Sequence, residues 1–318
     1  MRSPLKTVMS AVVFATVALS ASPAAAAPAT GCGLTFLPLP DGATRGFVRE
    51  GEVTGRYAVG HAFIDGRQES VIWKDGVPFV PSLPFGEGGL TDVNSTGVAV
   101  GYGLNMDGTS SPVAWSQDGG VSALPVPDDG WSVQAVATNE RGDIVGTATD
   151  PDDVDGKYTL VWRAGADEPQ ILPYGDVTNA VDIDEDGTVL AQAGTMTSAG
   201  PALVWDPETG TVTSLGEGSV GTAIRGGYVT GWENRTDRSV TMRWDLDGTD
   251  VEIAELGYAL TVTSDGHVAG LGSVIVRGDG TLIQAEEPAF AMGIEYLADN
   301  GTAYGYADYA PAMWTGCR

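Results

Sequence analysis

One short phrase recurs along this chain and narrows what it can fold into: an apolar strand closing on tryptophan. It reads Ser70-Val71-Ile72-Trp73, Pro112-Val113-Ala114-Trp115, Leu160-Val161-Trp162, Ala202-Leu203-Val204-Trp205, Thr241-Met242-Arg243-Trp244 and Pro311-Ala312-Met313-Trp314. Val276 stands in the Trp place of a further copy, Ser273-Val274-Ile275-Val276. Successive copies are 42, 47, 43, 39, 32 and 38 residues apart. A period of that length marks a repeat architecture, in which no unit buries its apolar face alone.

Each Trp sits inside a longer shared pattern. A polar turn with Gly follows it, then an alternating strand that often ends in Leu-Pro, as in Val121-Ser122-Ala123-Leu124-Pro125 and Gln170-Ile171-Leu172-Pro173. An apolar strand comes next and runs into an Asn/Asp/Gly turn: Asn94 to Gly97, Asn139 to Gly142, Asp184 to Gly187, and Asp299-Asn300-Gly301. Those residues tolerate the backbone that tight hairpins demand. A strand of small residues such as Val98-Ala99-Val100-Gly101 leads to the next Trp. No helical periodicity interrupts the pattern.

Four short strands in about 40 residues make a propeller blade. The expected fold is all-β, a single seven-bladed β-propeller of four-stranded blades over residues 30–318. The small-residue strands suit places near the axis, where blades crowd. The two chain ends carry the closure. Trp314 is followed only by Thr315-Gly316-Cys317-Arg318, and the missing outer strand stands at the other end as Gly33-Leu34-Thr35-Phe36-Leu37-Pro38. The N-terminal strand therefore completes the C-terminal blade, which removes exposed sheet edges. Cys32 and Cys317, the only cysteines, flank that break and are expected to form a disulfide. A competing reading makes Ala29-Thr30-Gly31-Cys32 a lipid-attachment signal with Cys32 as the anchor.

Residues 1–29 read as a signal peptide. Arg2 and Lys6 precede the short apolar run from Val8 to Leu19, and an Ala-rich stretch follows. The run is too short to span a bilayer. Without it, 14 Lys and Arg remain against 42 Asp and Glu, a formal charge of −28. Such a surface repels nucleic acid, which binds through cations this chain lacks. The expected location is outside the cell, as a monomer without a membrane span.

The strand order resembles that of tryptophan–aspartate repeat propellers, and Trp205-Asp206 and Trp244-Asp245 carry the dipeptide, although the Gly-His signature of that family does not recur. The Asn/Asp-x-x-Gly turns and the His61-Ala62-Phe63 tripeptide resemble secreted bacterial HAF-repeat proteins. That resemblance implies an extracellular propeller and brings no catalytic residues with it.

Site candidates come from the acidic and aromatic loops. Asp182-Ile183-Asp184-Glu185-Asp186-Gly187 opens like a calcium loop, with Asp182, Asp184 and Asp186 at alternate positions, but Ala193 stands where such a loop closes with Glu. Asp152, Asp153 and Asp155 form a second acidic loop that could hold calcium or stay solvated. No other cofactor is implied. Gly216 to Gly221 spells G-x-G-x-x-G without the helix a dinucleotide site needs. His61 and His267 lack metal-ligand spacing and read as structural. Asp128, Asp129, Trp131 and Asp176 fall on loops sharing one propeller face. There Trp131 either offers a platform for a sugar ring or cationic peptide, or packs between blades. The expected function is a secreted binding module for an extracellular protein or glycan. The alternative is a carboxylate- or calcium-dependent hydrolase or lyase at the channel mouth.

Overall fold

The computed structural model describes residues 31–85, 87–175, 178–195 and 198–318. The expected signal peptide and Asp176 lie outside them. The described chain folds into seven four-stranded antiparallel sheets. Blades 1 to 6 span residues 43–79, 88–123, 132–171, 178–214, 219–252 and 259–284. Blade 7 takes three strands from 292–315 and its outer strand from Gly33–Phe36, which pairs antiparallel with Ala310–Thr315. The seven-bladed ring and its split closing blade are thus as expected. Cys32 and Cys317 are bonded across the break, with Cα atoms 4.7 Å apart. That bond occupies the thiol a lipid anchor would need. Among the described residues no helix is long and apolar enough to cross a membrane.

Three of the repeated Trp residues clasp the connection from the preceding blade. Trp162 of blade 3 donates its indole N–H to the carbonyl of Pro125, in the connection from blade 2, at 2.7 Å. Trp73 does the same to Pro38 at 2.9 Å and Trp314 to Glu286 at 3.0 Å. The Leu of each Leu-Pro exit packs into the core of the following blade, Leu37 with Trp73 and Leu172 with Trp205. A wide ring with one polar edge suits this position, where the apolar face is buried and the N–H finds a partner.

The Asn/Asp turns form a second set of staples. Asn94 Oδ1 accepts the backbone N–H groups of Thr96 and Val98, while its amide donates to the carbonyl of Asn139 in the next blade. Asn139 repeats this toward Asp184 of blade 4. Asp184 has no amide to donate; its carboxylate instead accepts N–H bonds from Gly226 and Gly227 of blade 5.

One expectation is corrected. The small-residue strand is second in each blade; the strand running into the Asn/Asp turn is innermost. The small residues answer a local demand, because every innermost strand carries a β-bulge. A Cβ on Gly101 would lie 2.0 Å from the carbonyl oxygen of Gly89, and one on Gly305 2.0 Å from that of Gly293. The bulge pushes the inner backbone onto its neighbour, and six of the seven blades place glycine there, with Ala191 in blade 4.

Candidate functional site

A bulge sets two consecutive residues against one partner and re-aims their side chains. Repeated in seven inner strands, it builds two rings in the central channel. The extra residues are Arg49, Thr91, Val136, Val181, Thr222, Leu260 and Glu295, and the residues after them are Glu50, Asp92, Ala137, Asp182, Ala223, Thr261 and Tyr296. The second ring, with Arg225 and Glu185 below it, lines a cavity of about 200 Å³.

Three of the seven members of this ring are structural. Asp92 accepts N–H bonds from Val93 and, across the blade boundary, from Thr138, both at 2.7 Å. Asp182 does the same with Ile183 and Ile224, both at 2.8 Å. Thr261 accepts the N–H of Leu297. These side chains tie blade 2 to 3, 4 to 5 and 6 to 7.

The remaining groups lack such ties. Among the described residues Glu50 accepts no hydrogen bond and Arg225 forms no ion pair. Arg225 Nη1 and the Tyr296 hydroxyl are buried without a partner. The guanidinium lies over the Tyr296 ring, 4.8 Å from its centroid, and the two groups act on each other's charge. Tyr296 is only 5% exposed. Orphaned buried donors of this kind cost of order 1–3 kcal/mol each and call for an explanation.

Water reaches these groups only along the channel, and their ionisation reflects it. Burial, reinforced by Asp92 and Asp182, pushes Glu50 well above the usual carboxylate range. Burial raises Asp92 to about 8, against the pull of its Thr138 N–H bond, and Asp182 to about 6. Burial also raises Glu185 and Glu295. For Arg225 burial opposes the charge, but Tyr296, Asp182 and Asp299 more than offset it and keep it protonated. A neutral-leaning carboxyl thus shares the lumen with a permanent cation.

The residues singled out in the sequence lie elsewhere, Asp182 excepted. Asp128 and Asp129 are exposed on the loop entering blade 3. Gly130 there comes close to Pro151 in the turn carrying Asp152. Trp131 is half-buried, its ring 5.5 Å from Tyr158 and packed on the core between blades 2 and 3. Asp152 is exposed, and Asp153 accepts the N–H of Gly156. Asp155 lies in the strand Asp153–Trp162.

Asp182, Asp184 and Asp186 are not brought together: one faces the channel, one caps blade 5, and one accepts the N–H of Thr188. Among the described residues no group of three or more His, Cys, Asp and Glu could hold a metal ion. His61 sits against Phe47 in blade 1 and is lowered to about 4, by burial and then by Arg49. His267 pairs with Asp265 at 2.5 Å in the inner hairpin turn of blade 6.

Glu50, Asp92, Arg225 and Tyr296 were missed in the sequence, although a signal exists. Asp92, Ala137 and Asp182 stand two residues before Asn94, Asn139 and Asp184, and the same offset before Glu52 and Ala298 yields Glu50 and Tyr296. Arg225 occupies the turn place itself. Blade 5 closes that hairpin with only Gly226-Gly227, so residue 225 is not consumed in folding the turn.

No protein-family model matches the sequence, and no curated protein matches it. Solved structures do match in shape. Oligogalacturonate lyase from Vibrio parahaemolyticus is similar with a TM-score of 0.56 at 10% identity, over 89% of this chain and 93% of that one. Virginiamycin B lyase from Staphylococcus aureus gives 0.53 at 12%, over 88% and 97%. TolB from Acinetobacter baumannii gives 0.50 at 14%, over 66% of this chain, which spans only 55% of the TolB chain. Similarity this distant shows the β-propeller fold, with lyases among the molecules that share it, and carries no chemistry across.

Proposed function

We propose that this chain is an exported binding module that takes its ligand into the central channel. One observation carries the reading: Arg225 and Tyr296 present buried, unpartnered donors to a lumen in which Glu50 is an unpartnered acceptor. A channel needed only to hold blades together would be filled by groups like Asp92 and Asp182, which satisfy their neighbours. Export is supported by the signal-like residues 1–29 and by a disulfide of the kind oxidising compartments preserve. The exposed loop residues Asp128, Asp129 and Trp131 then act as a rim, with no role in holding the ligand.

The experiment is capture. The oxidised chain from Thr30 onward is immobilised and exposed to its own culture medium and cell envelope, beside a Glu50→Gln/Arg225→Met variant. Material retained by the first and lost from the second is the expected result. Equal retention by both places the binding surface elsewhere.

A second reading has one observation in its favour. Asp182 and Asp92, held near 6 and 8, bracket neutrality in one cavity, as a general base and acid would. The chain would then be a hydrolase or lyase working with carboxylates, and calcium would be dispensable to it. Turnover of a polysaccharide or lactone substrate that survives chelator and disappears in Asp182→Asn supports it.

A further inference from the structure

We infer that the channel ligand is a small zwitterion of amino-acid size, its carboxylate on Arg225 and Tyr296 and its ammonium on Glu50. The inference rests on the channel-binding reading and adds the class of molecule. Arg225 and the Glu50 carboxyl line the same cavity, and no ion pair forms between them. The gap separates an orphaned donor pair from an orphaned acceptor. Tyr296, nine-tenths buried with its hydroxyl unpartnered, stands beside the guanidinium and supplies the extra donor a carboxylate accepts. A volume of about 200 Å³ admits a free amino acid and excludes a folded partner.

The apolar side of the upper ring, formed by Val136, Val181 and Leu260, offers a wall for a short side chain. Larger alternatives fit less well. A monoanion alone would leave the Glu50 carboxyl without a hydrogen-bond partner. A cation alone would leave Arg225 and Tyr296 without acceptors.

The arrangement has a signature that a merely structural role would not show. Glu50 holds its proton in the empty channel, because burial, Asp92, Asp182 and Glu295 oppose its charge while Arg225 alone favours it. An arriving ammonium stabilises the ionised form, so binding expels that proton and affinity rises with pH toward neutrality.

Calorimetry and saturation-transfer NMR on the oxidised chain test this. The probes are the free amino acids, with propionate and propylamine as half-ligands. At least one amino acid is expected to bind more than about tenfold tighter than either half-ligand, with affinity rising from pH 6 to 8. Arg225→Met weakens it by about tenfold or more, and Tyr296→Phe by a smaller factor. Glu50→Gln reduces the rise with pH to the part contributed by Asp92 and Asp182 on the same cavity, and weakens amino-acid binding more than propionate binding. Each variant is first checked for its disulfide and its unfolding midpoint. Half-ligands binding as tightly as amino acids, no amino acid binding at all, or full affinity in Arg225→Met overturns the zwitterion assignment. If capture in that event still depends on Glu50 and Arg225, the channel reading stands and only the ligand class falls. Capture indifferent to both residues removes the channel reading itself.

Discussion

Cys32 and Cys317 are 285 positions apart in sequence, and the fold brings their Cα atoms to 4.7 Å. The bond stands where the other blades have a hairpin between third and outer strands. It converts two open ends into a closed ring and buries both sulfurs in the blade 7 core beside Trp314.

The first expectation concerns that bond. A cross-link enclosing nearly the whole chain restricts the unfolded ensemble by on the order of 4–5 kcal/mol in the chain-entropy description. Cys32→Ser/Cys317→Ser should lower the urea midpoint accordingly, and reductant should do the same to the native chain. An unchanged midpoint would mean that blade 7 closes through strand pairing and packing alone.

The second concerns pH. In the native state Asp92 titrates near 8, whereas an unfolded aspartate titrates near 3.8. The folded form therefore keeps a proton that the unfolded chain gives up above about pH 4. Its contribution is fully present below that value and is lost as pH rises through 8. Stability should fall between pH 5 and 8, and Asp92→Asn should flatten the slope even if it lowers stability at pH 5. Parallel pH profiles for the two proteins would show that Asp92 is ionised throughout.

A third expectation follows from the missing tryptophan. Blade 6 carries Val276 in the Trp place and has strands of only four, three, three and three residues. Its core has no indole ring to pack at that place, where the other six blades bury one. Hydrogen exchange should open residues 259–284 first, because local stability follows buried contacts and backbone bonds. Uniform protection around the ring would contradict this.

The fourth concerns the clasp itself. Trp162→Phe removes the bond to Pro125 and part of a buried ring, at a cost of about 2–4 kcal/mol. The loss is read from the urea midpoint. Trp131→Phe, half-buried and without a hydrogen bond at its indole nitrogen, should cost less.

The blades, their number and the split closure were legible because each is written several times. A Trp strand, a Leu-Pro exit and an Asn/Asp turn repeated at one period leave few other architectures open. The Asn139 turn looked like local hairpin chemistry, and its bond to the next blade depends on a neighbour 45 residues away.

The channel was hidden for a different reason. A bulge adds one residue to one strand, and nothing in Thr91-Asp92 or Arg49-Glu50 announces it before the partner strand is placed. The same bulges explain Gly101 and Gly305, whose smallness looked like crowding at the axis. Acidic loops drew notice because their carboxylates are adjacent in sequence, whereas Glu50, Arg225 and Tyr296 are gathered from blades 1, 5 and 7.

The most direct test of a channel ligand is an NMR map. The small-molecule fraction of the culture medium is added to oxidised protein labelled at Arg side chains and Tyr rings. With the backbone amides and Trp indoles labelled as well, the expected result is a shift of the Arg225 and Tyr296 resonances, abolished in Glu50→Gln/Arg225→Met, with Asp128, Asp129 and Trp131 unmoved. Shifts confined to Asp128, Asp129 and Trp131 would contradict the account and return the site to the loop face.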